Sequence, residues 1–276
     1  GFSTAIHIEE VHSAHETSEI QHAHGRATVT IQSSGYRIIK RYSQEVLGYG
    51  DIEFPPRQFE TTAFWMSIQP DTAQKLADQG ILMLPNDYGP NWPEQRDQAR
   101  TRDGYRCTRC HAPEPPDRQH DVHHLRPFRA FGYRPEQNQN YLQANQLENL
   151  RTLCHRCHML IEGFENRPSA LGGAATVLHH IAPLFLMCSS HDLQVVADYR
   201  VAYAPGPTLT FYETGAGGFG LTEQLYDLRD TLLEDSIQLI SDCGCESGCP
   251  ACIGPTTIST DQIKQDTITL LTLLRQ

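Results

Sequence analysis

From Ala27 onward the apolar positions alternate. A-T-V-T-I-Q is followed by G-Y-R-I-I-K-R-Y and E-V-L-G-Y-G-D-I, β-branched and punctuated by glycine. That pattern predicts a small antiparallel sheet, and P-P-R-Q-F-E-T-T-A-F-W-M-S-I adds a further strand. Ahead of it, His7, His12, His15, His22 and His24 sit among acidic and small residues with loose spacing. This tract reads as a solvated lead-in rather than a metal site. T-A-Q-K-L-A-D-Q-G then has a helical pattern ended by Gly80, and P-N-D-Y-G-P-N-W-P marks a boundary. Trp92 to Arg102 form a helical stretch carrying Arg96, Arg100 and Arg102, which serve either a solvated face or a phosphate-binding one. Beyond Pro168, L-G-G-A-A-T-V-L-H-H-I-A-P-L-F-L-M-C predicts a core helix with His179 and His180 packed on it. P-T-L-T-F-Y-E then leads through the turn G-A-G-G-F-G into the helix L-T-E-Q-L-Y-D-L-R-D-T-L-L-E-D-S-I-Q-L-I. A glycine-rich turn between strand and helix can hold a phosphate. Here no lysine follows it, so tight backbone packing is the expected role.

Cysteine spacing changes the picture most. Cys107/Cys110 and Cys154/Cys157 are two C-x-x-C pairs, and each two-residue spacer lets both sulfurs reach one ion, giving a closed tetrahedral zinc site. C-G-C-E-S-G-C-P-A-C packs Cys243, Cys245, Cys249 and Cys252 into a second metal site, zinc in preference to an iron–sulfur cluster, which the spacing leaves open. Cys188 remains, as a small hydrophobe in an apolar run. Metal-ligand spacings in place of disulfides imply a reducing, cytoplasmic compartment. No apolar run approaches a membrane span, no secretory leader opens the chain, and its first residue is Gly, as in a fragment or processed product.

The formal charge is -11, but it is unevenly spread. Residues 92–168 carry 12 arginines against 10 acidic residues, which leaves 10 basic and 23 acidic residues elsewhere. Arginine suits bidentate phosphate contacts. Only this segment looks prepared for DNA, with Arg102, Arg106, Arg126, Arg129, Arg151 and Arg156 as candidate contacts.

Between the cysteine pairs stand D-V-H-H-L-R-P-F and N-L-R-T-L-C-H-R-C-H. With R-D-G-Y-R-C-T-R-C these motifs resemble an HNH endonuclease of the ββα-metal class, the type with an added four-cysteine zinc. The resemblance implies His124 as the base that activates water, and His123 and His158 as ligands of catalytic Mg²⁺ or Mn²⁺. It also implies that Asn149 supports the loop carrying the base. The residue types suit phosphodiester hydrolysis, since an imidazole accepts a proton near neutral pH and a hard cation stabilises phosphate charge.

A second resemblance covers the flanks. S-S-G-Y-R-I-I-K-R-Y-S-Q-E-V-L-G, F-E-T-T-A-F-W, H-H-I-A-P-L-F-L-M-C, F-Y-E-T-G-A-G-G-F-G-L and the C-terminal cysteine cluster look like one module. It is the C-terminal metal-binding module of bacterial superfamily 2 DEAD/DEAH-box helicases of the mitomycin-repair type. No Walker A, D-E-A-H or second-lobe motor motif is present, so a motor is expected elsewhere. The expected fold is therefore α+β: a small mixed or antiparallel sheet with flanking helices and a four-cysteine site, interrupted by the ββα-metal domain. Residues 1–70 and 169–276 would be its halves, 71–91 a linker and 92–168 the nuclease. The expected function is a metal-dependent DNA endonuclease serving a helicase system in repair or phage defence, with no small-molecule substrate. The alternative is a non-catalytic, zinc-stabilised module that binds DNA or recruits a motor.

Overall fold

The structure is a computed structural model that describes residues 2–33, 36–41, 46–50, 54–82, 84–85, 87–115, 118–154, 157–158, 169–254 and 262–276. The chain forms two compact units. One is Gly1–Leu84 with Arg167–Gln276, and the other is Pro85–Asn166.

The first unit begins with β1 (Phe2–Glu16) and β2 (Ile20–Ser33), joined by a tight turn in which the Thr17 hydroxyl accepts from the Glu19 and Ile20 amides. A two-stranded ribbon follows, β3 (Tyr36–Ile39) with β4 (Val46–Gly50), then β5 (Arg57–Ile68) and α1 (Pro70–Asp78). The chain passes through the second unit as α2 (Trp92–Arg102), β6 (Asp121–His124), the short α3 (Tyr141–Ala144) and β7 (Leu150–Leu153). It returns as α4 (Ala170–Leu186), β8 (Leu193–Asp198), β9 (Thr208–Glu213), α5 (Leu221–Asp242) and α6 (Ile263–Leu274). The sheet order is β1-β2-β5-β9-β8, with every neighbouring pair antiparallel. β5 and β9 come from opposite sides of the inserted unit, and their register sets Phe64 beside Phe211 with the rings stacked at 5.5 Å. The two flanking sequences thus complete one domain.

Alternation along β5 divides the sheet's side chains. Phe64, Met66 and Ile68 face α4, α5 and α6 in the main core, while Phe59, Ala63 and Trp65 form a second apolar layer with Val29 and Tyr212. Gly173 of α4 lets the helices close on one another, since a Cβ there would lie 2.5 Å from the Thr267 hydroxyl oxygen on α6.

The histidine tract is not a lead-in. It is β1 and the start of β2, a long hairpin paired from Phe2↔Ser33 to Glu16↔Gln21. Ile6 and Ile8 pack against the second layer with His7 between them, and His22 and His24 on β2 are buried. Two irregularities, at Ile8/Glu10 and Val11/Ser13, break the alternation that would have marked β1 as a strand. Gly25 accommodates the first, because a Cβ there would meet the Glu10 carbonyl oxygen at 2.1 Å. The glycine-rich turn also has a definite role. The buried Glu213 carboxylate accepts from the amides of Phe219 and Thr222 and from the Thr62 hydroxyl, so the chain's own anion fills the N-terminus of α5.

Candidate metal centres

In the second unit, Asp103 follows α2 and accepts from the Thr152 amide of β7, which fixes the first cysteine pair against the hairpin. The Thr108 amide donates to the Thr152 carbonyl, and the Cys107 amide donates to Ala112 to close the knuckle. Cys154 and Cys157 follow β7 directly. The four sulfurs of Cys107, Cys110, Cys154 and Cys157 lie within 4.8 Å of one another, with Cys110 and Cys154 3.6 Å apart. A tetrahedral zinc with sulfurs at about 2.3 Å requires a sulfur–sulfur edge of about 3.8 Å, so the donor set fits one such ion.

β6 and β7 pair in the register Asp121↔Leu153 to His124↔Leu150. Pleating sends alternate side chains of β6 to opposite faces. Asp121 and His123 share one face with His158: the His123 and His158 rings are 5.4 Å apart, and Asp121 Oδ2 is 3.5 Å from His158 Nδ1. His124 lies on the other face, only 7% exposed, stacked on Tyr88 at 5.2 Å and on Trp92 at 4.9 Å. Burial lowers its pKa, against the opposing effect of a hydrogen bond that it donates to the Asn145 side-chain oxygen. Asn149 clamps the chain beyond His124. Its side chain accepts from the Arg126 amide and donates to the carbonyls of Arg126 and Ala144. Asp121 and Asn145 did not figure in the sequence reading. The alternation D-x-H on a strand was the available signal for Asp121, whereas Asn145 lies in a polar run with no marker.

The arginines are not equivalent. Arg100 is buried and paired with Glu114 and Asp97, so it faces neither solvent nor a ligand. Arg102 donates to the Leu147 and Leu150 carbonyls and to Asp103. Arg106 donates to the His111 carbonyl, and Arg126 donates to the Ala130 carbonyl while lying over the Phe131 ring at 4.4 Å. These contacts hold loops together. Arg129 and Arg151 are exposed, and Arg156 lies outside the described residues.

The second centre closes α5 of the first unit. Cys243 caps that helix, and the Cys252, Ile253 and Gly254 amides all turn back to the Cys249 carbonyl. Sulfur separations are 3.6 Å for Cys243–Cys249, 3.5 Å for Cys245–Cys252 and 3.6 Å for Cys249–Cys252. Such edges fit one tetrahedral ion, whereas a polynuclear iron–sulfur core would hold the thiolates further apart. Lys264 on α6 donates to the Cys243 and Cys245 carbonyls at 2.6 and 2.9 Å, tying the knuckle to the last helix.

Residues 174–253, from within α4 to the residue after Cys252, match the MrfA Zn-binding domain. The uncharacterized protein MJ1572.1 of Methanocaldococcus jannaschii is 31% identical over 83 residues, which is 29% of this chain and 74% of that protein. This chain belongs to the MrfA zinc-binding family. The uncharacterized ATP-dependent helicase YprA of Bacillus subtilis is 37% identical over 99 residues, 36% of this chain but 13% of the helicase. The fold also resembles the DUF1998 helicase MrfA in its crystal structure bound to DNA, with a TM-score of 0.53 and 22% identity, covering 99% of this chain and 25% of that one. The chain thus spans a small part of the helicases it matches. Among the described residues, no helix is long and apolar enough to cross a membrane.

Proposed function

We propose that this chain is a zinc-stapled accessory module that engages DNA beside a helicase motor. The observation that carries this reading is the second cysteine centre, which closes α5 within the segment matching the MrfA zinc-binding family. The sequence holds no motor motif, so the motor lies elsewhere in the polypeptide or in a partner. The test is to add the zinc-loaded chain to an MrfA-type motor and measure DNA-stimulated ATPase and DNA affinity. Both should rise, and Cys249→Ser should abolish the gain. No change on adding the wild-type chain would refute the reading.

A second reading concerns the inserted unit: metal-dependent hydrolysis of DNA phosphodiester bonds. It is favoured by the convergence of Asp121, His123 and His158 on one face, together with the Asn149 clamp. A carboxylate beside Nδ1 of a histidine is the usual outer partner of a metal-binding imidazole, and it leaves Nε2 for the ion. His123 and His158 would hold Mg²⁺ or Mn²⁺, with Asp121 behind. The ion would supply charge stabilisation at the phosphate. His124, neutral because burial lowers its pKa, would take the proton of water. Cleavage of supercoiled plasmid with Mn²⁺ or Mg²⁺, abolished by His123→Ala and by His124→Ala, is the expected result. Cutting that survives both substitutions would assign it to a contaminant.

A further inference from the structure

We infer that Asn145 is a positioning residue that fixes the His124 ring as its Nε2–H tautomer and leaves Nδ1 as the nitrogen able to accept a proton. Asn145 is 0% exposed, and its side chain makes three contacts. One terminal atom lies 2.6 Å from the Tyr88 carbonyl oxygen and 2.8 Å from Asn91 Oδ1. A backbone carbonyl only accepts, so that atom is the amide nitrogen, and both its hydrogens are used. The other atom is therefore Oδ1, which carries no hydrogen. Its 3.0 Å contact with His124 Nε2 requires the histidine to donate. A neutral imidazole carries one ring proton, so with Nε2–H donating to Asn145 the other nitrogen, Nδ1, is the acceptor.

The surroundings hold this arrangement. Tyr88 and Trp92 stack on the ring, within 6° and 24° of parallel, and Phe128 meets its edge. Asn149 grips the Ala144 carbonyl, one residue before Asn145, and the Arg126 backbone, two residues after His124. One asparagine thus fixes the backbone on both sides of the bond made by the other. Among the described residues only Asn145 bonds to the ring, and Nδ1 is not among the buried nitrogens lacking a partner, so Nδ1 keeps contact with solvent.

The catalytic consequence rests on the hydrolytic reading of this unit. Water would give a proton to Nδ1 while its oxygen forms the new bond to phosphorus. The bond to the leaving oxygen breaks, and that oxygen takes a proton from solvent. Asn145 Oδ1 continues to accept from Nε2–H of the resulting imidazolium, which later returns its proton to water.

The experiment uses the full zinc-loaded chain with ¹⁵N-labelled histidine. Long-range proton–nitrogen correlation at neutral pH should report His124 as Nε2–H. An Nδ1–H tautomer, or an even mixture, overturns the inference. Asn145→Asp keeps the acceptor and adds charge, so it should raise the His124 titration midpoint and move the acid limb of plasmid cleavage to higher pH. A ring that keeps a pure Nε2–H signal in Asn145→Ala would mean that the amide does not fix the tautomer. Asn145→Ala should lower kcat about 10²-fold with little change in KM. If that variant does not fold, the wild-type tautomer and the Asn145→Asp titration decide. Absence of cleavage by the wild type, alongside an Nε2–H ring, would refute the hydrolytic reading and leave the tautomer assignment standing.

Discussion

The two cysteine centres look alike in their donor atoms and differ in what depends on them. In the first unit the four thiols fall within ten residues, Cys243 to Cys252, and close the end of helices that already pack in a large apolar core. In the second unit the pairs are more than forty residues apart, and among the described residues the buried cluster around them is little more than Cys107, Leu153 and Cys157. A small unit without an adequate apolar core draws its stability from metal or cross-links. The same chemistry is therefore a local clasp in one unit and the main tie in the other.

Removing one ligand from each centre is the sharpest way to break that comparison. Structural zinc contributes about 10–16 kcal/mol in small domains that fold only with metal. Cys154→Ser should unfold the second unit, with rapid amide exchange across β6 and β7, while β5 and β9 stay protected. Cys249→Ser should loosen the end of α5 and leave the sheet intact. Hydrogen exchange resolved by segment reads both. Equal collapse of the two units in either variant would show the comparison to be wrong.

Two buried histidines extend the contrast. His124 has Asn145, whereas His22 of β2 is 2% exposed, and among the described residues neither of its ring nitrogens makes a well-formed hydrogen bond. Its pKa falls from 6.5 to about 4, first because of burial and then because of Arg229, with the Leu274 backbone opposing, His15 adding to the fall and Asp230 opposing it. The unfolded chain binds this proton more readily, so stability is full above pH 6.5 and is lost as pH falls toward 4. At 1.36 kcal/mol per pH unit the loss is about 3 kcal/mol. Denaturant midpoints of the first unit should fall over that window, and His22→Phe should flatten the slope. An unchanged slope in the variant would assign the acid sensitivity to other groups.

The sequence carried the two cysteine groups and the helicase-type segment because spacing is written directly in the chain. It did not carry β1, whose irregularities break the alternation a strand is recognised by. Nor did it mark Glu213 or Asn145. Each is buried and defined by partners that sit far off in sequence or across a turn, as with Thr62 for Glu213 and Tyr88 for Asn145. Spacing encodes ligands that share one ion, but it is silent about a polar group whose partners are backbone amides and carbonyls.

The smallest expected effect concerns Lys264, and it tests whether the local clasp belongs to the core beneath it. Its ammonium joins α6 to the carbonyls of Cys243 and Cys245, so the knuckle is held from the helix side as well as by its sulfurs. Charge-assisted hydrogen bonds are stronger than neutral ones, but this side chain is half-buried, and water can reach the carbonyls once it is gone. Lys264→Met keeps the aliphatic stem and should cost about 1–2 kcal/mol. Zinc should also leave this centre faster under chelator, with no change at the other. Equal release rates in variant and wild type would mean that the four sulfurs hold the knuckle unaided, and that α6 merely lies beside it.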